Sequence, residues 1–227
     1  MSIEIEHVPK PGGGSRTIVR PSPDLRRALT AAIAPHTERI EAALGPEAHA
    51  NRAGGHARVL EPWRPARARF ERAARRLVAD VASAAGTVAV TDVRRCYASI
   101  SPEVVEARLR ALRIEPAEVL RRLAPFERAG VPGLPVGPAA SAIIANAVLA
   151  HVDDRIRSPD VRHLRWVDDI VVVARNPGAF GRALDRIEDA LGELGLTIAE
   201  EKTAIATGPG AARLLAWSRR SGTGTPL

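Results

Sequence analysis

The feature that most constrains the fold is a pair of short segments rich in β-branched residues, each of which ends or turns at an aspartate. The first run, 86–92, ends on Asp92, and two further short strands over 163–174 form a hairpin that turns at Asp168 and Asp169. Runs this rich in valine, isoleucine and threonine are typical of strands. Because segments with helical periodicity separate them, we expect an α+β fold: a small antiparallel sheet flanked by helices.

Turn and helix signals divide the rest of the chain. A Gly/Pro turn at 9–16 separates two short strands near the N-terminus. Helices are predicted over about 23–44, 66–84 and 102–112. Two more are predicted, one in a long segment that begins at Pro138 and one after Asn176, and a last hairpin is predicted over 196–205.

Composition narrows the class of protein. The 227 residues carry a net charge of +7, which favours a polyanionic partner such as nucleic acid, although a biased genome would give the same balance. There is no apolar run long enough to cross a membrane and no signal-peptide pattern, so we expect a cytoplasmic protein without a membrane partner. A single cysteine, Cys96, excludes an internal disulfide.

The tripeptide Val-Asp-Asp occurs twice, in two different contexts. Adjacent carboxylates at strand ends repel each other unless a cation lies between them, and such hard oxygen ligands suit Mg²⁺. The copy at 167–169 precedes a strand and has that context, although a solvated acidic turn is the simpler alternative. The copy at 152–154 lies near a helix end, where we expect its acids to pair with nearby arginines.

Five short segments, in order along the chain, resemble the motifs of bacterial reverse transcriptases, the group that includes group II intron, retron and abortive-infection enzymes. They are 8–16, 92–100, 133–138 leading to Ser141 and Asn146, 166–169, and 194–203. The resemblance runs from about Val8 to Ile205. It implies a polymerase fingers–palm fold.

The resemblance also implies a domain plan. Fingers would take 1–85, with 114–137 returning to them, and the palm would take 86–113 and 138–207. Residues 208–227 form a short tail, too short for the family's helical thumb. We therefore expect a minimal form without a thumb domain, in which a partner protein or a structured RNA supplies the grip on the duplex.

Within the resemblance, Asp92 and Asp168 are implied as the principal Mg²⁺ ligands, with Asp169 nearby and looser, and with Mn²⁺ as a substitute metal. Lys202 matches the family lysine that protonates the pyrophosphate leaving group, a task that suits an ammonium rather than a guanidinium. Only two of the 33 basic residues are lysines, and both fall in motifs that handle the triphosphate.

The nucleotide-binding residues are implied in the same way. Lys10 and Arg16 would hold the triphosphate, and Tyr97 would be the ring that excludes a ribose 2′-OH, unless it is simply a core aromatic. The Gly-Leu-Pro-x-Gly segment lies against template and nucleotide in the family; here it supplies Gly133, Pro135, Val136 and Gly137. Val136 replaces the usual glutamine, so a side-chain amide contact is lost.

These residues together predict an RNA-directed DNA polymerase, a nucleotidyltransferase that adds dNTPs to a 3′-OH on an RNA template. Its primer would be a nucleic acid or a protein, and its role phage defence or a mobile element. Three alternatives stay open. They are an untemplated or protein-primed polymerase of abortive-infection type, another palm enzyme such as an RNA polymerase or a nucleotide cyclase, and a non-catalytic nucleic-acid-binding subunit.

Overall fold

A computed structural model describes residues 2–9, 14–54, 60–82, 86–208, 210–211 and 213–214. The chain opens with an antiparallel hairpin of β1 (Ile3–Pro9) and β2 (Ser15–Pro21), which confirms the two predicted strands. β1 is exposed along most of its length, whereas Ile18 and Val19 of β2 are buried. The hairpin is therefore held to the rest of the protein through β2.

Eight α-helices lie in the described residues. They are α1 (Pro23–Ile33), α2 (Thr37–Ala43), α3 (Trp63–Ala82), α4 (Cys96–Ser99), α5 (Pro102–Ala111), α6 (Ala117–Arg128), α7 (Ala139–Ile156) and α8 (Pro177–Glu193). Ser22, Ser101 and Asn176 each cap a helix by accepting from a backbone N–H, and each precedes a proline at the first helical position. α7 is buried on nearly every side and forms the centre of the core.

A four-stranded antiparallel sheet packs against these helices. Its strands are β3 (Thr87–Asp92), β4 (Val161–Trp166), β5 (Asp169–Ala174) and β6 (Ala204–Thr207), in the order β4-β5-β3-β6. On one face of the sheet, residues such as Val90 and Val171 pack in a cluster with α3. On the other face, residues such as Ala89 and Val172 join the main core with α7 and α8. The predicted α+β class is confirmed.

Two predicted elements differ from the structure. The helix predicted over 23–44 is interrupted at 34–36 by a 3-10 turn, because Pro35 has no N–H to continue the α-helical ladder. The prediction of a last hairpin over 196–205 is wrong. Residues 200–202 form a 3-10 turn and β6 pairs with β3, so that Ile198 makes only a single β-bridge, to Val93. Within the described residues, no helix is long and apolar enough to cross a membrane.

Candidate active site

The sheet register brings the three aspartates of the sequence to one end of the four-stranded sheet. Asp92 is the last residue of β3 and lies directly opposite Asp169, the first residue of β5. Between β4 and β5 the chain turns through Val167 and Asp168 alone, and the backbone N–H of Val93 donates to the Asp168 carbonyl over 3.2 Å. Two neighbouring strands therefore deliver three carboxylates to the same edge.

The electrostatics of this edge are those of crowded negative charge. Burial, followed by the charge of Asp92, raises the pKa of Asp168 to about 6. Burial, followed by the charges of Asp168 and Asp92, raises the pKa of Asp169 to about 8. Neighbouring negative charge thus makes Asp168 and Asp169 harder to ionise, which is the condition that a bound cation relieves.

Lys202 is the cation that lies closest to this group in the described residues. Its Nζ donates to Asp92 Oδ1 over 2.8 Å, and the N–H of Ala199, at the start of the same 3-10 turn, donates to the Asp92 carbonyl over 2.8 Å. Partial burial would lower the Lys202 pKa, but the hydrogen bond and charge of Asp92 outweigh it and raise the pKa. Lys202 is therefore an ammonium at neutral pH, with a proton held beside the carboxylates.

Tyr97 lies beyond the turn that follows Asp92, in the short helix α4. It is half-buried and packs against the main core. Its backbone carbonyl accepts from the N–H of Leu134 over 2.7 Å. The segment around Leu134 is thereby fixed against the residue that is predicted to meet the sugar.

A second backbone bond fixes the other end of that loop. The N–H of Val19 on β2 donates to the Val136 carbonyl over 2.7 Å. Both glycines of the loop are needed for this close approach: a Cβ on Gly133 would lie 2.3 Å from the Tyr97 carbonyl oxygen, and one on Gly137 would lie 2.6 Å from that of Val19. The loop therefore ties the hairpin strand β2 to the helix that carries Tyr97.

The predicted triphosphate ligands are only partly placed. Arg16 lies opposite Val8 at the start of β2, and its charge is among those that lower the pKa of Asp168. Lys10 lies outside the described residues. Pro135 lies in the loop between the two backbone bonds and is buried.

The donor chemistry of the carboxylate edge fits Mg²⁺. No group of three His, Cys, Asp or Glu side chains in the described part of the chain could enclose a metal ion by itself. Mg²⁺ needs no such cage, because it is usually held by one or two carboxylates together with waters and substrate phosphates. Asp92 and Asp168 supply two such carboxylates, with Asp169 beside them.

Comparison with known proteins now gives the family. Residues 8–220 match the family model described as reverse transcriptase (RNA-dependent DNA polymerase). The chain belongs to the reverse transcriptase family. The predicted family is thus confirmed, whereas the bacterial type and the minimal form stay predictions.

Solved telomerase structures share the fold of this reverse transcriptase chain. An apo telomerase from Candida tropicalis, truncated from its C-terminal domain, matches with a TM-score of 0.61 at 13% identity, over 91% of this chain and 50% of that one. A telomerase from Candida albicans in complex with a TWJ fragment of telomeric RNA matches with a TM-score of 0.59 at 11% identity, over 89% and 41%. The chain thus spans half or less of the length of these structures. No curated protein matches its sequence.

The first Val-Asp-Asp copy of this reverse transcriptase chain has a structural role that the sequence only partly indicated. Asp154 pairs with Arg157, as predicted. Asp153 instead forms a fully buried pair with Arg165 of β4 over 2.7 Å. Burial by itself raises the pKa of Asp153, but the charge and hydrogen bonds of Arg165, together with His163, outweigh it and lower the pKa to about 2.

A signal for this pair exists in the sequence. Asn146 and Asp153 are seven residues apart, so they share one face of the mainly apolar helix α7. On β4, His163 and Arg165 alternate with an exposed Arg162, which places both on the inner face of an edge strand. Polar residues at core positions of two neighbouring elements predict a buried polar network.

Proposed function

We propose that this chain is an RNA-directed DNA polymerase, a nucleotidyltransferase that adds dNTPs to a 3′-OH. The observation that carries the proposal is the set of three mutually repelling carboxylates at one sheet edge, with Lys202 on Asp92, in a chain of the reverse transcriptase family. Crowded acids with one ammonium are suited to phosphoryl transfer, in which negative charge must be neutralised at the reacting oxygens.

Each group has a part in this reaction. Asp92 and Asp168 would hold Mg²⁺, or Mn²⁺ in its place, with Asp169 as a looser third ligand. When bound, two such ions stabilise the attacking and leaving oxygens of an in-line displacement. Lys202 holds a proton that it can give to the pyrophosphate leaving group, and Arg16, with Lys10, would bind the triphosphate.

The loop and Tyr97 would select the nucleotide. The carbonyl of Tyr97 is bonded to Leu134 and that of Val136 to Val19, so the backbone of Tyr97 and the loop are fixed to each other. A bulky ring held in this way leaves no room for a 2′-OH, which favours dNTPs and a DNA product.

Primer extension by the purified chain tests the proposal. We expect dTTP incorporation on poly(rA) with an oligo(dT) primer and Mg²⁺, lost in Asp168→Asn. Asp154→Asn is the matched control, because Asp154 is an exposed carboxylate from the other Val-Asp-Asp copy, and it should keep full activity. If no lane of the wild-type protein shows incorporation, with Mg²⁺ or Mn²⁺, the proposal is wrong and a non-catalytic binding subunit is favoured.

Two further lanes decide between templated and untemplated synthesis. Val136 has no side-chain amide to place near template and nucleotide, which favours an untemplated or protein-primed enzyme as the second candidate. Incorporation without poly(rA), or DNA bound covalently to the protein, would support that candidate. The partner protein or structured RNA, and the role in phage defence or a mobile element, stay predictions; longer products on adding cellular RNA or co-purifying proteins would support such a partner.

A further inference from the structure

Arg165 joins three parts of the protein from a fully buried position on β4. Its Nε and Nη2 donate to both oxygens of Asp153 over 2.7 to 3.0 Å. Its Nη1 donates to Asn146 Oδ1 over 3.1 Å and to the backbone carbonyl of Val167 over 3.0 Å. One guanidinium therefore connects α7 to the turn that carries Asp168.

The same group is anchored on its other side. Asn146 Nδ2 donates to the carbonyls of Ala50 and Asn51, over 3.0 and 3.1 Å. The backbone of Arg165 exchanges hydrogen bonds with Glu47 and His49. The guanidinium is thus fixed between α7, the 47–51 segment and β4, in contact with the turn.

The turn itself has a backbone that needs such support. Val167 has φ of +57°, in the left-handed region that a β-branched residue rarely adopts. Such a conformation persists only where the surroundings fix it, and it occurs most often at functional sites. The Arg165 bond to the Val167 carbonyl is made one residue before Asp168.

Stability alone does not account for this network. A buried ion pair is often no more stabilising than apolar residues of the same volume, because both charges lose their hydration. What the pair offers instead is a fixed geometry, since the planar fork of Arg165 can bind Asp153 and the turn at the same time.

Resting on the proposed function, we propose that Asp153, Arg165 and Asn146 are positioning residues, which hold the Val167–Asp168 turn and thereby place the Asp168 carboxylate for catalysis. The first Val-Asp-Asp copy would thus orient the second through Arg165. All three side chains are buried, so the role assigned to them is to hold the turn rather than to bind substrate.

The test compares a neutral pair with a matched surface change in the 227-residue chain. Asp153→Asn/Arg165→Met removes both buried charges together, so that neither is left unpaired. Asp154→Asn is the control, because it removes an exposed carboxylate one residue away, which pairs with Arg157 at the surface. Both are assayed well below their unfolding temperatures.

Three readouts separate positioning from a structural role. Exchange of the Val93 amide reports directly on the turn, because this N–H is bonded to the Asp168 carbonyl. In the double variant we expect faster exchange at Val93 than at core amides, a higher Mg²⁺ requirement, and a loss in kcat on the order of 10²-fold, as for a misplacement of about 1 Å. A merely structural role would lower the unfolding temperature and leave all three unchanged.

The outcomes also distinguish this inference from the proposed function. If the double variant matches Asp154→Asn in kcat, Mg²⁺ requirement and Val93 exchange, the inference is overturned while the polymerase activity stands. If the wild type is inactive but Val93 exchange still responds, the turn is positioned as inferred and the proposed function fails. Should the double variant not fold, Asn146→Ala, which keeps the ion pair, decides by the same readouts.

Discussion

Replacing Gly133 by alanine gives a direct measure of how tightly the loop holds Tyr97. Gly133 has φ of +62°, and an added Cβ would lie 2.3 Å from the Tyr97 carbonyl oxygen and 2.8 Å from the carbonyl carbon of Ala98. Because the atoms it meets are backbone, no side-chain rotation can relieve the overlap. Gly130, which follows α6, is the matched control: its φ is +78°, but a Cβ there meets nothing within 4 Å.

The two substitutions share one cost and differ in another. A left-handed conformation costs an alanine roughly 1–2 kcal/mol at either position. At Gly133 the overlap must also displace the Tyr97 carbonyl from the N–H of Leu134, and an unmade buried hydrogen bond costs about 1–3 kcal/mol. We therefore expect Gly133→Ala to lower the free energy of unfolding by about 1–3 kcal/mol more than Gly130→Ala.

Urea unfolding and nucleotide kinetics measure the two consequences. In Gly133→Ala the ring of Tyr97 moves with its carbonyl, so the KM for dNTPs should rise and discrimination against rNTPs should weaken, while Gly130→Ala leaves both unchanged. Equal losses of unfolding free energy in the two variants, together with an unchanged dNTP KM, would refute the idea that the loop holds Tyr97.

Three further predictions concern single side chains. Tyr97→Val should admit rNTPs by removing the ring from the sugar, measured as the ratio of rNTP to dNTP incorporation; an unchanged ratio would assign Tyr97 to the core alone. Lys202→Arg keeps the charge but gives up its proton poorly, so kcat should fall by about 10²-fold or more, and full activity would leave Lys202 a purely electrostatic role. Because the pKa of Asp153 is about 2 in the folded protein and near 3.8 ordinarily, the unfolded chain binds the proton first as pH falls. Its contribution of roughly 2 kcal/mol is present above about pH 5 and lost towards pH 2, which denaturation at stepped pH should show for the wild type and not for Asp153→Asn/Arg165→Met.

The parts of the fold that sequence could predict are those that local rules decide. The run 86–92 and the hairpin over 163–174 follow from β-branched composition, and both form as strands with the aspartates at their ends. Ser101 before proline predicts a helix start, and the helix begins there. In each case the residues that predict the element lie in it or within a few residues of it.

Long-range pairing is the part that local rules could not supply. The segment 196–205 has the composition of a hairpin, yet β6 pairs with β3, more than a hundred residues earlier in the chain. The side-chain hydroxyls of Thr91 and Thr203, which belong to these two separate parts of the chain, share a hydrogen bond of 2.7 Å. Strand β3 offers β6 a continuous ladder of backbone hydrogen bonds. Residues 196–198, which lie before the turn at 200–202, offer it no comparable pairing.

The valine at position 136 shows how a departure from the family pattern can leave the local geometry intact. The loop is positioned by backbone groups: Leu134 donates to Tyr97, and the Val136 carbonyl accepts from Val19. Neither bond depends on the side chain at 136. Valine can therefore replace the family's glutamine without moving the loop. If position 136 lies against template and nucleotide as proposed, the consequences should appear in template use rather than in stability.

The two Val-Asp-Asp copies show what decides the chemistry of identical tripeptides. The pKa of Asp153 is lowered to about 2 because an arginine lies against it, and the pKa of Asp168 is raised to about 6 because burial and a second carboxylate act on it. Arg165, which lies in the core, neutralises the first aspartate, Asp153, through a buried ion pair. At the second site the partly exposed Lys202 lies on Asp92, and the charges of Arg16 and Arg67 lower the pKa of Asp168 and of Asp169 without returning either to its ordinary value. That residual negative charge is what the substrate complex must neutralise, and it sets the site at 168 apart from the site at 153.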